Sequence, residues 1–353
     1  MTSTHFGPPF DDADADTTLR SSDQVDFHVY RVILSKSSTF FKSMFSLPQP
    51  DANDSENVKR PVVDMTENSR TIGVLLASIY PAVSVDTEPI SLDDLINALS
   101  AAKKYEMAAA SQRLNEKFAV SELVQDSPVE AFCAAYSHGL GEAARVAAKA
   151  SLKHRMRLDD IGDKLQYTNG PGLHQLWKFH RACSATAAEA ISGTHLIWTT
   201  SFDSSAWWDI MRNHNTCVVK PNCLRYIYKL GPSEVSWYVT SPWHNYIMRA
   251  RNVLLQHPCR EAVAHDSLLQ PSYDEKTCYT CRPTLIGLPE FVRLLGEEVE
   301  NRVSMVRNYL AYFPDTSHSM ALTEGRSRVA ILTFCGYPPM YNHLNQTALK
   351  LQI

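Results

Sequence analysis

Residues 25–45 read VDFHVYRVILSKSSTFFKSMF, and this stretch decides the fold. Apolar and polar side chains alternate from Val25 to Val29, which is the period-two pattern of a half-buried strand. Turn-forming residues precede it, so Thr18–Arg20 and Val25–Tyr30 are predicted to form a β-hairpin. His28 falls on the polar face of this strand, where we expect it to be solvated rather than to bind a ligand.

A short helix is predicted directly after the strand, with Ser35 or Ser37 as its N-cap. Four apolar side chains recur along it at one-turn spacing: Phe40, Phe41, Met44 and Phe45. Part of this face must enter the core, because positions i and i+4 point the same way. The remainder could form a groove for a partner, so these four residues are the candidate protein-interaction residues.

The rest of the first unit combines one more strand with helices. Pro61–Met65 predicts a short strand, and the apolar spacing after it predicts a helix that Pro81 ends. Ser91-Leu92-Asp93-Asp94 is a capping-box variant and predicts the start of another helix. Residues 15–125 are therefore predicted to fold as a compact α+β unit, after a mobile acidic lead over residues 1–14.

Five segments of this unit resemble, in order, the motifs of the BTB/POZ domain family. They are Ala15–Asp23, Val25–Ser35, Ser38–Phe45, Pro61–Met65 and Ala102–Met107. The resemblance implies a short mixed sheet flanked by helices, which acts as a protein-interaction module and plausibly forms a homodimer. One departure from the family pattern is Tyr30, which stands where a histidine is usual.

The pattern from residue 127 to residue 312 predicts a mainly α-helical domain, and residues 313–353 predict a poorly ordered tail. Gly139 and Gly141 predict the hinge of a helical hairpin. Four further helices are predicted after it: Asp159–Leu165, Leu173–Ile191, Trp243–Gln256 and Pro289–Leu310. Trp243–Met248, Pro258-Cys259 and Cys278-Tyr279-Thr280-Cys281 resemble segments of fungal, especially basidiomycete, BTB proteins.

Charge and composition exclude several classes of function. The net charge is −4 and the sequence holds no cluster of lysine and arginine, which argues against direct binding of nucleic acid or anionic membranes. We find no signal peptide and no apolar run long enough to span a bilayer. An intracellular protein, cytoplasmic or nuclear, is expected.

Catalytic and metal-binding motifs give little support to an enzyme. The nucleophile elbow, the zinc-protease helix, the phosphate loop and the dinucleotide loop are all missing from the sequence, so no catalytic residue and no cofactor is predicted. Cys259, Cys278 and Cys281 could form a zinc site with His257 or His265. Reduced thiols packed among helices are the alternative, which we favour because a second pair of ligands is lacking.

The expected function is non-enzymatic: a protein-interaction module or adaptor whose partner the sequence does not name. One alternative is a substrate adaptor of a cullin-type ubiquitin ligase, and another is an indirect transcriptional regulator without its own DNA-binding domain. Cullin-binding family members typically carry a hydrophobic-x-Glu element after the aromatic helix. This chain has Ser46-Leu47-Pro48-Gln49 there, which argues against cullin recruitment.

Overall fold

A four-stranded mixed sheet organises the first part of the chain in the computed structural model. The model describes residues 4–47, 60–80, 89–156, 170–192, 225–229, 236–275 and 282–306. The sheet strands are β1 (Thr4–His5), β2 (Thr17–Arg20), β3 (Val25–Val29) and β4 (Val62–Asp64), in the spatial order β1-β3-β2-β4. The predicted hairpin is confirmed, since β2 and β3 pair antiparallel with Thr18 opposite His28.

Six helices follow or interrupt the sheet: α1 (Arg31–Ser37), α2 (Thr39–Ser46), α3 (Ser69–Ala77), α4 (Leu92–Lys104), α5 (Ala108–Val120) and α6 (Glu122–Asp126). The capping box predicted for α4 is confirmed, because Ser91 and Asp94 exchange reciprocal hydrogen bonds. The N-cap predicted for the aromatic helix is wrong. The segment forms two helices rather than one, and Ser38 separates them in an extended conformation and caps α2.

The rest of the described chain is mainly helical. Its helices are α7 (Pro128–Ser137), α8 (Gly141–Ser151), α9 (Gly170–Ala190), α10 (Ser241–Leu254), α11 (Arg260–Val263), α12 (Asp266–Asp274) and α13 (Leu288–Met305), with a 3-10 turn at Arg282–Gly287. A hairpin of β5 (Arg225–Lys229) and β6 (Ser236–Thr240) was not predicted. The predicted helix Asp159–Leu165 and the tail 313–353 lie outside the described residues.

Two clusters of buried side chains share helix α9. The first cluster runs along the chain from Phe10 to Cys183, and the second from Ala187 to Val299. Because Cys183 and Ala187 lie one turn apart on α9, this helix connects the two cores. The first core also continues across residues 125–127, where we placed a domain boundary; the boundary itself stays a prediction.

The polar face of β3 is less exposed than its alternation suggests. Asp26 is buried because the guanidinium of Arg20 holds its carboxylate, at 2.7 Å from Nε and 3.0 Å from Nη2. His28 is only partly solvated, which differs from the expectation of a solvated side chain. His28 is half-buried because residues of the lead cover it: the carbonyl of Phe10 accepts its backbone N–H at 2.8 Å, and the His5 ring lies 4.9 Å away.

The lead contacts the rest of the domain at a few points, although most of its described residues are exposed. Residues 4 and 5 form strand β1, and the side chain of Phe10 is fully buried in the first core. That the lead over residues 1–14 is mobile stays a prediction, and residues 1–3 lie outside the described part of the chain. In the described residues no helix has the length and apolar character needed to cross a membrane.

Candidate protein-interaction surface

Helix α2 presents two different apolar faces. Phe41 and Phe45 lie one turn apart on the face toward the core, whereas Phe40 and Met44 share another face and Leu47 follows them as the C-cap residue; Met44 also packs in part against the first core. The four candidate residues therefore do not act as one patch. We call Phe40, Met44 and Leu47 the outward stripe.

The inward face fixes the helix. Phe41 is only 1% exposed, and its ring lies 5.3 Å from that of Tyr105 and 6.1 Å from that of Phe45. Phe45 is half-buried beneath the guanidinium of Arg31, which lies 5.3 Å from the ring centroid. Phe41 and Phe45 are therefore structural residues, which leaves the outward stripe as the part of α2 open to a partner.

The N-terminus of α2 is attached to the turn that follows α4. The Ser38 hydroxyl donates to the carbonyl of Tyr105 at 2.6 Å and accepts the backbone N–H of Phe41 at 3.0 Å. The next residue, Thr39, donates to the carboxylate of Glu106. These bonds hold the first turn of α2, and with it Phe40, in a fixed position.

The double role of Ser38 gives a stability prediction. We expect Ser38→Ala to lower the free energy of unfolding by about 1–3 kcal/mol, because it removes an N-cap and leaves buried backbone groups without a partner. The matched control is Ser46→Ala on the same helix, whose exposed hydroxyl bonds only the nearby Ser43 carbonyl. Chemical denaturation followed by circular dichroism measures both, and equal losses would contradict the proposed role of Ser38.

Tyr105 is in turn held by a charged group. Its hydroxyl donates to the Glu67 carboxylate at 2.6 Å, and the Lys104 ammonium donates to the same carboxylate at 2.8 Å. Burial alone would raise the pKa of Glu67, but the bonds from Lys104 and Tyr105 outweigh it and hold that pKa below its usual value. The carboxylate is thus ionised at neutral pH and orients the ring against which Phe40 and Phe41 pack.

The outward stripe is open to solvent. Phe40 is 42% exposed, Leu47 is 62% exposed and Met44 is half-buried between them. Residues 31–47 contain three basic side chains, Arg31, Lys36 and Lys42, and no acidic one, although the whole chain carries a net charge of −4. The stripe is therefore an apolar surface, exposed at Phe40 and Leu47, in a stretch of sequence whose charged side chains are all basic, and the Glu106 carboxylate lies next to it at Thr39.

Tyr30 replaces the histidine usual in the family pattern and forms a different set of bonds. Its hydroxyl donates to Asp14 at 2.7 Å and Asp12 at 3.1 Å, and its backbone N–H donates to the Tyr80 hydroxyl at 3.0 Å. The bond to Asp14 is the main reason that the pKa of Tyr30 is raised. The acidic residues of the lead thus have a structural use, which composition alone did not reveal.

Of the three cysteines considered for zinc, only Cys259 lies in the described part of the chain, since Cys278 and Cys281 fall outside it. Cys259 is half-buried, and burial raises the pKa of its thiol to about 11, which disfavours the thiolate that metals bind. No group of three metal-ligating side chains occurs within the described ranges. Whether the Cys-x-x-Cys segment binds metal stays a prediction.

Comparison with known proteins agrees with this architecture. Residues 9–122 match the family model of the BTB/POZ domain. No curated protein matches the chain. The predicted fold class is confirmed: a BTB/POZ domain with a small mixed sheet and helices at the N-terminus is followed by a helical region. BTB/POZ domains are protein-interaction modules and generally non-enzymatic, and no enzyme family is indicated for this chain.

Proposed function

We propose that the chain is a non-enzymatic adaptor, and that its BTB/POZ domain binds a protein partner through the outward stripe of α2. The exposure of Phe40 and Leu47 carries this proposal. Folding leaves two large apolar side chains exposed, Phe40 on α2 and Leu47 at its C-cap, beside an inward face on which Phe41 is buried and Phe45 half-buried. Complete burial of a fully exposed side chain of this size is worth about 1.5–3 kcal/mol, and Phe40 and Leu47 have about half of their surface left to bury at an interface.

The test compares partner capture by variants of the full chain. We expect Phe40→Ser combined with Leu47→Ser to reduce capture of specific partners at least about tenfold, because the loss of two anchors costs more than 1.4 kcal/mol. Val120→Ser is the matched control, since Val120 is a largely exposed apolar residue at the end of α5. Affinity purification with quantitative mass spectrometry provides the measurement. Unchanged capture by the double variant would contradict the proposal.

A cullin remains a specific candidate partner because one part of the family's element is present. Leu47 supplies an exposed hydrophobic residue after the aromatic helix, but Gln49 stands where the glutamate is expected and lies outside the described residues. Titration of the full chain with a cullin N-terminal region distinguishes a ubiquitin-ligase adaptor from an adaptor for another partner. Binding that is lost in Leu47→Ser supports a ubiquitin-ligase adaptor; no binding leaves an adaptor for another partner.

The oligomeric state of the chain and an indirect role in transcription can be tested separately. The proposal includes a homodimer through the BTB/POZ domain, since such domains often dimerise, and sedimentation of the purified chain at several concentrations tests it. An indirect role in transcription, from an intracellular location, would require that the partner rather than this chain reach DNA. Identification of only cytoplasmic partners would argue against that role.

A further inference from the structure

The segment from Thr4 to Phe10 lies across the edge of the sheet, and we call it the strap. Strand β1 pairs parallel with β3, with backbone bonds from Thr4 to Gln24 at 3.2 Å and from Phe6 to Asp26 at 3.1 Å. At its other end, the carbonyl of Phe10 accepts the N–H of His28 at 2.8 Å. The strap thus covers the β3 edge that would otherwise expose backbone donors and acceptors.

The ring of Phe6 holds the strap against the domain by close packing. Its ring stacks on Phe27 with the centroids 4.5 Å apart, and a Cβ added at Gly73 would lie only 3.1 Å from the ring. Phe6 is nevertheless only half-buried, and β1 has just two residues, both exposed. Few contacts therefore hold the first part of the strap, so its release costs much less than unfolding the domain.

His28 lies directly under this weakly held segment. Its Nδ1 atom is buried and finds no hydrogen-bond partner among the described residues. The ring of His5 approaches it edge-on at 4.9 Å from β1. A proton on Nδ1 would therefore place a charge under the strap at a buried atom that has no acceptor among the described residues, and the Asp11 backbone compensates for it only in part.

The charges around His28 also disfavour its protonation. Arg60 and His5 act against a positive charge there; the Asp11 backbone and Asp26 act in favour of it, but Asp26 is already paired with Arg20. Thr18, opposite His28 on β2, carries no charge. Burial is the largest cause that holds the pKa of His28 below its usual value, and the charge of Arg60 is the second.

We infer that the first part of the strap, Thr4–Phe6, is an acid-sensitive latch: it stays docked while His28 is neutral, and protonation of His28 favours its release from the β3 edge, whereas the buried Phe10 stays in the core as its anchor. In the released state the imidazole faces water and can accept a proton without penalty. Docking is therefore fully stable above the ordinary histidine pKa of about 6.5, and it weakens as the pH falls from there toward the lowered pKa of the docked state. Release would open a strand edge for pairing.

Hydrogen exchange on the full chain between pH 7.5 and 5.5 tests the latch, after correction for the intrinsic pH dependence of exchange. We expect protection of the Phe6 amide, which donates to Asp26, to fall on acidification, by up to about tenfold per pH unit for one linked proton. Helix α4 should keep its protection and serves as the internal reference. His28→Gln should abolish the pH dependence, whereas His138→Gln, an exposed histidine at the end of α7, should retain it.

A second variant keeps the test decisive if His28→Gln folds poorly. Phe6→Ala removes the stacked ring of a half-buried residue, so the domain should persist while the strap is released at every pH. Low and pH-independent protection in Phe6→Ala is the expected result. The inference is overturned if the strap stays equally protected at pH 7.5 and 5.5 in the unmodified chain. It is also overturned if Phe6→Ala or a folded His28→Gln variant retains the unmodified chain's pH dependence.

Discussion

Trp243→Ala is expected to lower the free energy of unfolding by about 3–5 kcal/mol, one of the two largest effects predicted for this chain. Trp243 is fully buried on α10, its indole N–H donates to the carbonyl of Thr284 at 3.0 Å, and its ring lies 5.2 Å from that of Phe291 on α13. The substitution would leave a cavity and a buried carbonyl without this donor. Urea denaturation followed by circular dichroism measures the loss.

Trp177→Ala is the matched control for this prediction. Trp177 is half-exposed on α9, so removing its ring creates no internal cavity and should cost less than about 1 kcal/mol. Similar losses for the two tryptophans would show that the second core does not depend on Trp243. Because α9 carries residues of both cores, we also expect amide exchange in α9 to rise in Trp243→Ala.

Elements with a local physical cause were predictable from the sequence. The capping box at Ser91 and the proline at the start of α13 both act within one helical turn, so their effect is visible in the residues themselves. The hairpin of β2 and β3 depends on a turn and on alternation, which are also local. The corresponding predictions therefore agree with the structure to within a few residues.

Contacts between distant segments were not predictable in this way. Phe6 and Phe10 stand alone in a polar stretch without a helical or strand period, so only their packing against Phe27 reveals them as core residues. The alternation from Val25 to Val29 places Asp26 on the polar face of β3 but does not indicate that it is buried. Its burial depends on Arg20, which lies across the hairpin rather than beside it in sequence.

The candidate site also combines features that follow from local sequence with features that depend on distant segments. Helical spacing identified which residues of α2 share a face, pairing Phe41 with Phe45 and Phe40 with Met44. It could not decide which pair points inward, because both pairs are apolar. Ser38 and Tyr105 decide this, since they orient the first turn of α2 from the end of α4, far away in sequence.

This orientation makes Phe41→Ala the second prediction with a large effect, a loss of about 3–5 kcal/mol in the free energy of unfolding. Phe41 is 1% exposed and packs between Tyr105 and Phe45, so truncation would leave a cavity under α2. The matched control is the neighbouring residue: Phe40→Ala should cost about 1 kcal/mol or less, because Phe40 is 42% exposed. Chemical denaturation of both variants measures the difference.

The contrast between these neighbours decides how binding data must be interpreted. A partner lost in Phe41→Ala can be lost because α2 is no longer held in place, whereas a partner lost in Phe40→Ala, with stability nearly unchanged, is lost from the outward stripe itself. We therefore expect Phe40→Ala to weaken partner binding without lowering the urea midpoint by much. The opposite pattern, a stable Phe41→Ala and an unstable Phe40→Ala, would show that α2 is rotated relative to this structure.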